Sequence, residues 1–416
     1  MLNQYVKIKS NIDYAYMVRT TDFEKMDFEN NVKYVSEKAY NFLQKSKLFG
    51  GEILINKIGN PGQMFLMPKL DIPMTLGMNL FMVRLKNNSI LNNYYVYIFF
   101  NTKIGKNIIY RKINGAVPLT IDKKAINSLP VPIFSNTFQS QIENLVRTSY
   151  DKLKESKKLY KEAEDLLLEE LGLKDYQPSD KNIAIKSFSQ SFGVSGRLDS
   201  EYYQPKYDEI LEKIKSYKGG WDYIANIVDW QKGVEVGSEA YQEAGKGFLR
   251  VSDFSKFGIE NISKKISNEL YEELKDNFKP QVGDILFTKD GTIGLSYVVK
   301  ENLEAIISGA FLRLTLQEKY KNFSKETLVL IFNSIVSKMQ VEQLSGGAII
   351  AHLKPSDFEN FVIPIIDNKI QEKIEQKIQV SFQLKKESKE LLDLAVKAVE
   401  IAIEKDENKA MEFIDE

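Results

Sequence analysis

Most of this sequence consists of two copies of one internal repeat, and that repetition restricts the folds that the chain can adopt. Matches recur in the same order at an offset of 231 or 232 residues: Met17–Phe23 with Phe248–Phe254, Gly51–Leu54 with Gly283–Leu286, Gly59–Gly62 with Gly291–Gly294, Leu129–Pro132 with Phe361–Pro364, and Gln139 with Gln371. An ordered series of this length indicates one structural unit encoded twice. We therefore expect two similar domains.

Each copy mixes short strands with helices. The segments Gly51–Ile58 and Gly283–Lys289 are apolar runs that enter a glycine-bounded turn, which predicts strands. The segments Asn93–Tyr110 and Lys325–Leu344 have the apolar spacing of helices. The expected fold class is therefore mixed α/β, of the α+β kind, in two repeated globular domains.

A long helix without internal glycine or proline follows each globular region. In the first, about Thr137–Leu171, spacings of four and three residues connect a seam of mainly apolar and small side chains: Ile142, Val146, Ser149, Leu153, Ser156, Tyr160, Ala163 and Leu167. In the second, Asn368–Glu404, the corresponding seam is Ile374, Ile378, Ser381, Lys385, Ser388, Leu392, Ala395 and Val399, with Leu384 as a substitute for Lys385. We expect the helices to form an antiparallel coiled coil in a pseudo-twofold chain. The alternative is that each helix lies on its own domain.

The two copies differ at their beginnings. The second copy is preceded by Arg197–Gly247, called the lead-in below, which has no counterpart ahead of Tyr14. Compared with the second copy, the first copy therefore lacks the beginning of the repeat. Either the gene lacks the corresponding stretch or another chain supplies it.

Composition excludes many catalytic chemistries. The chain has no cysteine and one histidine, His352, so disulfides, zinc–thiolate sites, iron–sulfur clusters and multi-histidine metal sites are excluded. Neither the GxxxxGK[ST] nor the GxGxxG phosphate-binding motif occurs. We expect no cofactor and no resident metal. The lack of cysteine and of a targeting or spanning segment favours a cytoplasmic protein.

Charge is balanced overall but not along the chain. The protein has 57 basic and 57 acidic residues, yet residues 1–135 contain 18 lysines and arginines against 9 acidic residues. A basic first quarter indicates contact with a polyanion, although a chance variation in surface charge explains it equally well.

The glycine-bounded loops Lys57–Gln63 and Lys289–Gly294 begin with lysine in both copies. One interpretation is plain hairpin geometry, because glycine permits positive φ angles. The other is a loop whose backbone and lysine approach phosphates or base edges.

The order of these motifs resembles the specificity (S) subunit of type I restriction–modification systems. In the second copy, the resemblance is carried by Gly283–Leu286, Lys289–Gly294, Ser345–Ala348, Leu353 through Pro364, and Gln371 with the helix that follows. In the first copy, degenerate versions occur at Gly51–Gly62, Asn114–Thr120, Leu129–Pro132 and Gln139.

The resemblance implies a non-catalytic subunit with two target-recognition domains, each binding one half of a split double-stranded DNA sequence. The two helices would space the halves and dock two methyltransferase (M) subunits, and the restriction and translocation (R) subunit would join that complex. The implied boundaries are 1–135 (first recognition domain, N-terminally incomplete), 136–175 (first spacer helix), 176–196 (linker), 197–366 (second recognition domain), 367–405 (second spacer helix) and 406–416 (tail). A coiled-coil adaptor that binds proteins and not DNA is the main alternative, and an enzyme with an unfamiliar site is a further one.

On this interpretation the turns after the doubled strands face DNA. Lys57 and Lys289 are candidates for phosphate contacts, and Asn60, Gln63 and Thr292 for base edges. Arg19 and Arg250 are further candidates, for which ion pairs with Asp22 and Asp253 are the alternative. The remaining DNA-binding candidates are Lys103, Lys106, Arg111, Lys112, His352 and Lys354. The apolar positions predicted to bind M subunits are Leu166, Leu168, Leu391 and Ile401.

Overall fold

The structure, a computed structural model, describes residues 6–8, 15–24, 28, 32–86, 89–115, 117–181, 183–259, 261–345 and 352–416. It divides into two compact units. The first comprises Met1–Lys154 with Lys385–Glu416, and the second comprises Glu155–Leu384. Each unit therefore contains part of both long helices.

The first repeat and its long helix contain the following elements. The strands are β1 (Val6–Ile8), β2 (Ala15–Val18), β3 (Lys33–Val35), β4 (Lys47–Leu48), β5 (Ile53–Asn56), β6 (Met64–Leu66), β7 (Met74–Leu76) and β8 (Leu80–Val83). The helices are α1 (Thr20–Glu24), α2 (Glu37–Phe42), α3 (Asn93–Asn101), α4 (Lys103–Tyr110), α5 (Lys123–Asn127) and the long α6 (Asn136–Glu170).

The rest of the chain, which includes the lead-in, the second repeat and its long helix, contains the following elements. The strands are β9 (Trp221–Tyr223), β10 (Val228–Lys232), β11 (Lys246–Leu249), β12 (Phe254–Ser255), β13 (Gly258–Ile259), β14 (Lys264–Ile266), β15 (Ile285–Thr288), β16 (Ser296–Val298), β17 (Ala305–Ile307), β18 (Phe311–Leu316) and β19 (Val362–Pro364). The helices are α7 (Phe192–Ser195), α8 (Pro205–Lys215), α9 (Asn268–Phe278), α10 (Lys325–Asn333), α11 (Ile335–Ser345), α12 (Pro355–Phe358), the long α13 (Asn368–Glu404) and α14 (Glu407–Asp415).

Sheet topology confirms the repeat and the mixed α/β class. In the first unit, β3, β2 and β7 are neighbours in one sheet and β6, β5 and β8 form another. In the second unit, β14, β11 and β17 repeat the first arrangement, and β16, β15 and β18 repeat the second. Even the direction of pairing is retained, because β2–β7 and β11–β17 are both parallel.

The helices predicted at Asn93–Tyr110 and Lys325–Leu344 are each broken in two, which corrects the expectation of continuous helices. The breaks fall at Thr102 and Ser334, which are 232 residues apart. Thr102 Oγ1 donates to the carbonyl of Phe99 and accepts from the backbone N–H of Gly105. Ser334 Oγ likewise donates to Ile331 and accepts from Val336. Each hydroxyl ends one helix and begins the next, which apolar spacing alone does not reveal.

The long helices pair antiparallel within each unit, as predicted. In the first unit, Ser149 Oγ donates to the carbonyl of Ser388 at 2.8 Å. In the second unit, Ser381 Oγ donates to the carbonyl of Ser156 at 2.7 Å, and Lys377 Nζ bonds Glu162 farther along the same pair. Because these serines are buried, their small side chains allow close approach while their hydroxyls remain hydrogen-bonded.

Each unit builds its core on its own parts of the two helices. In the first unit, Phe138 and Ile142 of α6 and Ala395 and Val399 of α13 join one buried cluster with α3. In the second unit, α6 and α13 supply part of a cluster that α8 and α10 complete. No helix in the described ranges is long and apolar enough to cross a membrane.

Candidate nucleic-acid interface

The two predicted loops have the same hydrogen-bond framework. Between β5 and β6, the backbone N–H of Asn56 donates to Gln63 and that of Gly62 donates back to Asn56, both at 2.8 Å. Between β15 and β16, Thr288 donates to Leu295 and Gly294 to Thr288, both at 2.9 Å. The duplicated sequence therefore encodes a duplicated loop.

Both loops require glycine because of their backbone conformation, and the first loop also requires it for close packing. Gly59 and Gly62 have φ angles of 91° and 85°, and Gly291 and Gly294 have 71° and 88°, values that side chains disfavour. Gly62 also packs closely on α4, because a Cβ there would lie 2.1 Å from Cγ2 of Ile109. These features fix the loop backbone and leave the tip residues to vary.

In the second unit, the lysine that begins the loop forms an ion pair with a neighbouring carboxylate, which also contacts a histidine. Lys289 is only 9% exposed, and its Nζ lies 2.5 Å from Oδ2 of Asp290. The other oxygen of Asp290 lies 2.8 Å from Nδ1 of His352. Burial raises the pKa of Asp290, but the hydrogen bonds from Lys289 and His352 outweigh it and lower that pKa below its usual value. Lys289 is thus poorly placed to reach phosphate, whereas the side chain of His352 is 65% exposed.

In the first unit, the corresponding lysine has a different environment. Lys57 is half-buried, and its Nζ lies 5.4 Å from the centre of the Phe81 ring. Ile58 occupies the position of Asp290, so the acidic partner is missing from this loop. Among the described residues, no carboxylate forms an ion pair with Lys57. Its charge is therefore more available than that of Lys289.

The loop tips present polar side chains to solvent. Asn60 and Gln63 in the first unit and Thr292 in the second are exposed. Lys354 is also exposed, two residues after His352, so the second unit brings these two predicted residues together beside its loop. Exposed side chains on a rigid loop have the reach that contact with base edges requires.

Arg19 and Arg250 form the ion pairs that were the alternative to DNA contact. A terminal nitrogen of Arg19 lies 2.7 Å from Asp22, and Nε of Arg250 lies 3.7 Å from Asp253. In both cases the aspartate also accepts the backbone N–H of its arginine. The arrangement stabilises the turn after β2 and after β11, and both arginines remain about one-third exposed.

The basic residues in α4 and directly after it lie mostly on the solvent side. Lys103, Lys106 and Arg111 are exposed and Lys112 is half-buried. Because Ile109 on the opposite side of α4 contacts the loop at Gly62, this basic surface and the loop belong to one local structure. Such a surface attracts a polyanion through long-range charge.

The predicted partner-binding residues are half-buried. Leu166 and Leu168 pack against the core of the second unit, and Ile401 packs against that of the first. Leu391 is also half-buried. Each therefore offers only part of its apolar surface to a partner.

Comparison with known proteins finds similar solved structures but no matching family model or curated protein. No family model matches the chain, and no curated protein matches it. Three similar solved structures are described here, two of them S (HsdS) subunits. The S subunit from M. genitalium has 13% identity over 85% of this chain and 84% of the other, with a TM-score of 0.39. The HsdS subunit from Thermoanaerobacter tengcongensis has 14% identity over 86% and 82%, with a TM-score of 0.28. A third structure, described as the basis of complex assembly and conformational transition of the type I R-M system, has 13% identity over 84% and 82%, also with a TM-score of 0.28.

Some residues that shape these sites were not identified from sequence. Asp290 determines the state of Lys289, and its position directly after the repeated lysine was the available signal. Glu52 is buried and accepts the backbone N–H groups of Phe49 and Gly50, which holds the turn before β5. Across the described ranges, no group of three or more His, Asp or Glu side chains is arranged to hold a metal ion.

Proposed function

We propose that this chain is a non-catalytic DNA-recognition subunit of a type I restriction–modification complex. Each repeat binds one half of a bipartite target, and the long helices dock M subunits to which the R subunit is added. The observation that carries this proposal is the duplicated loop, which has one backbone framework and two different sets of side chains.

Different side chains on one framework suit a target with two unlike halves. The first loop offers Lys57, Asn60 and Gln63, and the second offers Thr292 with His352 beside it. Asn and Gln side chains can donate and accept at adenine, whereas a threonine hydroxyl is less selective. The first half-site therefore depends most on Asn60 and Gln63.

The balanced net charge favours recognition within a complex. A protein that binds DNA alone usually carries a strong basic excess, whereas this chain has equal numbers of acidic and basic residues. In the proposal, M subunits supply much of the phosphate contact. The half-exposed apolar residues Leu166, Leu168, Leu391 and Ile401 contribute to docking them.

The test is selection from random duplex DNA by the chain purified together with its M subunits. We expect the recovered sequences to share two short motifs at a fixed separation. Asn60→Ala and Gln63→Ala should relax one motif and leave the other unchanged, whereas Thr292→Ala should act on the second motif only.

Asn127→Ala is a matched control, because Asn127 is an exposed polar residue on α5, outside the loop. Selection of one continuous motif, or no selection while M subunits remain bound, would contradict the DNA proposal. The second result would favour the adaptor alternative.

A further inference from the structure

A short backbone bridge joins the second loop to the segment that contains the histidine. Asp290 and His352 are antiparallel bridge partners, and the N–H of Leu353 donates to the carbonyl of Lys289 at 2.9 Å. Leu353 is buried and anchors this segment. Because residues directly opposite each other in an antiparallel pair place their side chains side by side, the backbone itself brings the carboxylate and the imidazole together.

This bridge belongs to the repeat, but the side chains on it do not. In the first unit, Ile58 and Thr120 are the bridge partners, and the N–H of Ile121 donates to the carbonyl of Lys57 at 3.2 Å. Neither side chain of that bridge is a carboxylate or an imidazole. The fold therefore forms without the carboxylate–imidazole pair, which indicates that the pair serves what the second unit binds.

The two oxygens of Asp290 have different partners. Oδ2 accepts from Nζ of Lys289 at 2.5 Å, and Oδ1 lies 2.8 Å from Nδ1 of His352. Lys289 supplies the cation that balances the carboxylate, so the imidazole can stay neutral and donate its Nδ1–H to Oδ1. The hydrogen bond at one ring nitrogen fixes the state of the other. In this arrangement Nε2 carries a lone pair and is an acceptor.

The Nε2 atom is available to a ligand. The side chain of His352 is 65% exposed, and no described residue forms a hydrogen bond with Nε2. Thr292 is exposed on the same loop. In the major groove of DNA, the exocyclic amino groups of adenine and cytosine are donors, whereas the exocyclic oxygens of guanine and thymine are acceptors. A fixed acceptor on the protein therefore distinguishes the first pair of bases from the second.

We propose that Asp290 is a positioning residue for base readout by the second unit. It holds the imidazole of His352 in the neutral tautomer protonated at Nδ1, and Nε2 accepts a hydrogen bond from the amino group of adenine or cytosine at one position of the second half-site. This inference rests on the proposed function and names the chemical group that the second unit reads. A guanine or thymine at that position brings two acceptors together and is rejected.

The tautomer can be tested without DNA. His352 is the only histidine of the chain, so nitrogen NMR of the full, untagged protein with isotope-labelled histidine reports this ring alone. We expect Nδ1 to be protonated and Nε2 to be unprotonated at neutral pH. A ring protonated at Nε2, or at both nitrogens, would overturn the proposal.

The isosteric variant Asp290→Asn should invert the tautomer. Lys289 has N–H donors only, so the oxygen of the introduced amide has to face Lys289 and its NH₂ group then faces Nδ1 of His352. Nδ1 must accept, and the ring proton moves to Nε2. Glu359→Gln is the matched control, because Glu359 is an exposed carboxylate farther along the same segment, and it should leave the tautomer unchanged. An unchanged tautomer in Asp290→Asn would show that Asp290 does not set it.

Selection from random duplex DNA, by the chain purified with its M subunits, tests the readout. The unmodified chain should prefer adenine or cytosine at one position of the second motif. His352→Ala, at an exposed side chain, should reduce that preference about fivefold or more. Asp290→Asn should replace it with a preference for guanine or thymine, whose oxygens accept from Nε2–H. The first motif should be unchanged in both variants.

The outcomes separate this inference from the function on which it rests. Recovery of two motifs that neither variant alters would overturn the role of Asp290 and His352 and leave the proposed function standing. Recovery of no shared sequence while M subunits remain bound would overturn the proposed function itself, and the base readout with it.

Discussion

At the scale of single residues, equivalent lysines in the two copies of the repeat differ in whether a carboxylate neutralises them. Lys57 and Lys289 begin the same loop, but Asp290 neutralises one and Ile58 leaves the other without an acidic neighbour. Sequence comparison predicted the loop and its lysine, because glycine spacing fixes the backbone. It did not predict the ion pair with Asp290, because the carboxylate of an adjacent residue can equally point to solvent. The second contact of Asp290, with His352, depends on packing with a residue far along the chain.

This divergence predicts opposite outcomes for two alanine substitutions. Lys57→Ala should leave the free energy of unfolding nearly unchanged and reduce the salt dependence of DNA binding by about one unit in the assembled complex. Lys289→Ala should destabilise the second unit by about 1–3 kcal/mol, because the half-buried Asp290 loses its hydrogen-bonded cation. Denaturant titration and DNA binding at several salt concentrations measure both. Equal effects of the two substitutions on salt dependence would contradict this assignment.

Asp222 gives a prediction that depends on pH. Burial raises its pKa, but hydrogen bonds from Asn226, Tyr320 and Lys319 outweigh that effect and hold the pKa well below the usual range. Because the folded-state pKa is lower than the unfolded one, this aspartate stabilises the protein above about pH 4, and the stabilisation is lost as pH falls further. Asp222→Asn should cost about 1–3 kcal/mol at pH 7 and somewhat less near pH 3, where the unfolded state has begun to take up a proton while Asp222 in the folded state is still ionised.

Denaturant unfolding at the two pH values checks this expectation. Asp229→Asn is a suitable control, because Asp229 is an exposed aspartate of the neighbouring strand β10. A penalty for Asp222→Asn that is the same at both pH values would mean that its charge contributes nothing.

At the scale of elements, the repeat allowed the strands and long helices to be predicted, and local hydrogen bonding explains where prediction failed. The second long helix begins and ends where its sequence indicated, at Asn368 and Glu404. The breaks at Thr102 and Ser334 were missed, because a threonine or serine inside an apolar helical pattern is compatible with both a continuous helix and a cap.

The buried serine pair of the first unit should behave as a coupled pair. Ser149→Ala and Ser388→Ala each remove a hydroxyl, and Ser149 Oγ contacts both the carbonyl and Oγ of Ser388. We expect a coupling free energy of about 0.5–1.5 kcal/mol from the double-mutant cycle. If the changes that the two single substitutions cause in the free energy of unfolding simply add in the double mutant, the hydroxyls do not interact. Ser128→Ala, at an exposed serine away from the helix pair, should show no coupling to Ser388→Ala.

If the long helices space the two half-sites, their length should set the target spacing. Deleting residues 150–156 together with 381–387 removes one heptad from each helix and leaves Ser149 and Ser388 to pair. Seven residues span about 10 Å of helix, which corresponds to about three base pairs. DNA selection should return the same two motifs with a spacer shorter by that amount. Altered motifs at an unchanged spacing would contradict the ruler function.

At the scale of the whole molecule, the two repeats are not separable as consecutive segments. The second unit is the continuous stretch Glu155–Leu384, whereas the first needs Lys385–Glu416 in addition to its own repeat. Ala395, Val399 and Ala402 are buried in the core of the first unit. A gene fragment that encodes only the first repeat therefore omits part of its core.

Truncation after Leu384 should therefore affect the first unit selectively. We expect residues 1–154 to become sensitive to protease and to exchange amide hydrogens rapidly, because the cavity left by the missing helix exceeds what side-chain rearrangement fills. Residues 155–384 should stay protected. The separate fragment 155–384 is the matched control and should fold alone. Protection of both regions in the truncated chain would show that the helix segment is dispensable.

The discontinuity of the first unit also has a consequence during protein synthesis. Domains usually fold in the order in which the ribosome releases them, from the N-terminus onward. Here Lys385–Glu416, which complete the first unit, are translated after the whole of the second unit. While the second repeat is synthesised and folds, the first repeat lacks this helix segment, and its apolar surface stays uncovered. Of the two units, the one whose synthesis begins earlier thus completes its folding later, and until then its uncovered apolar surface is open to contact with a chaperone.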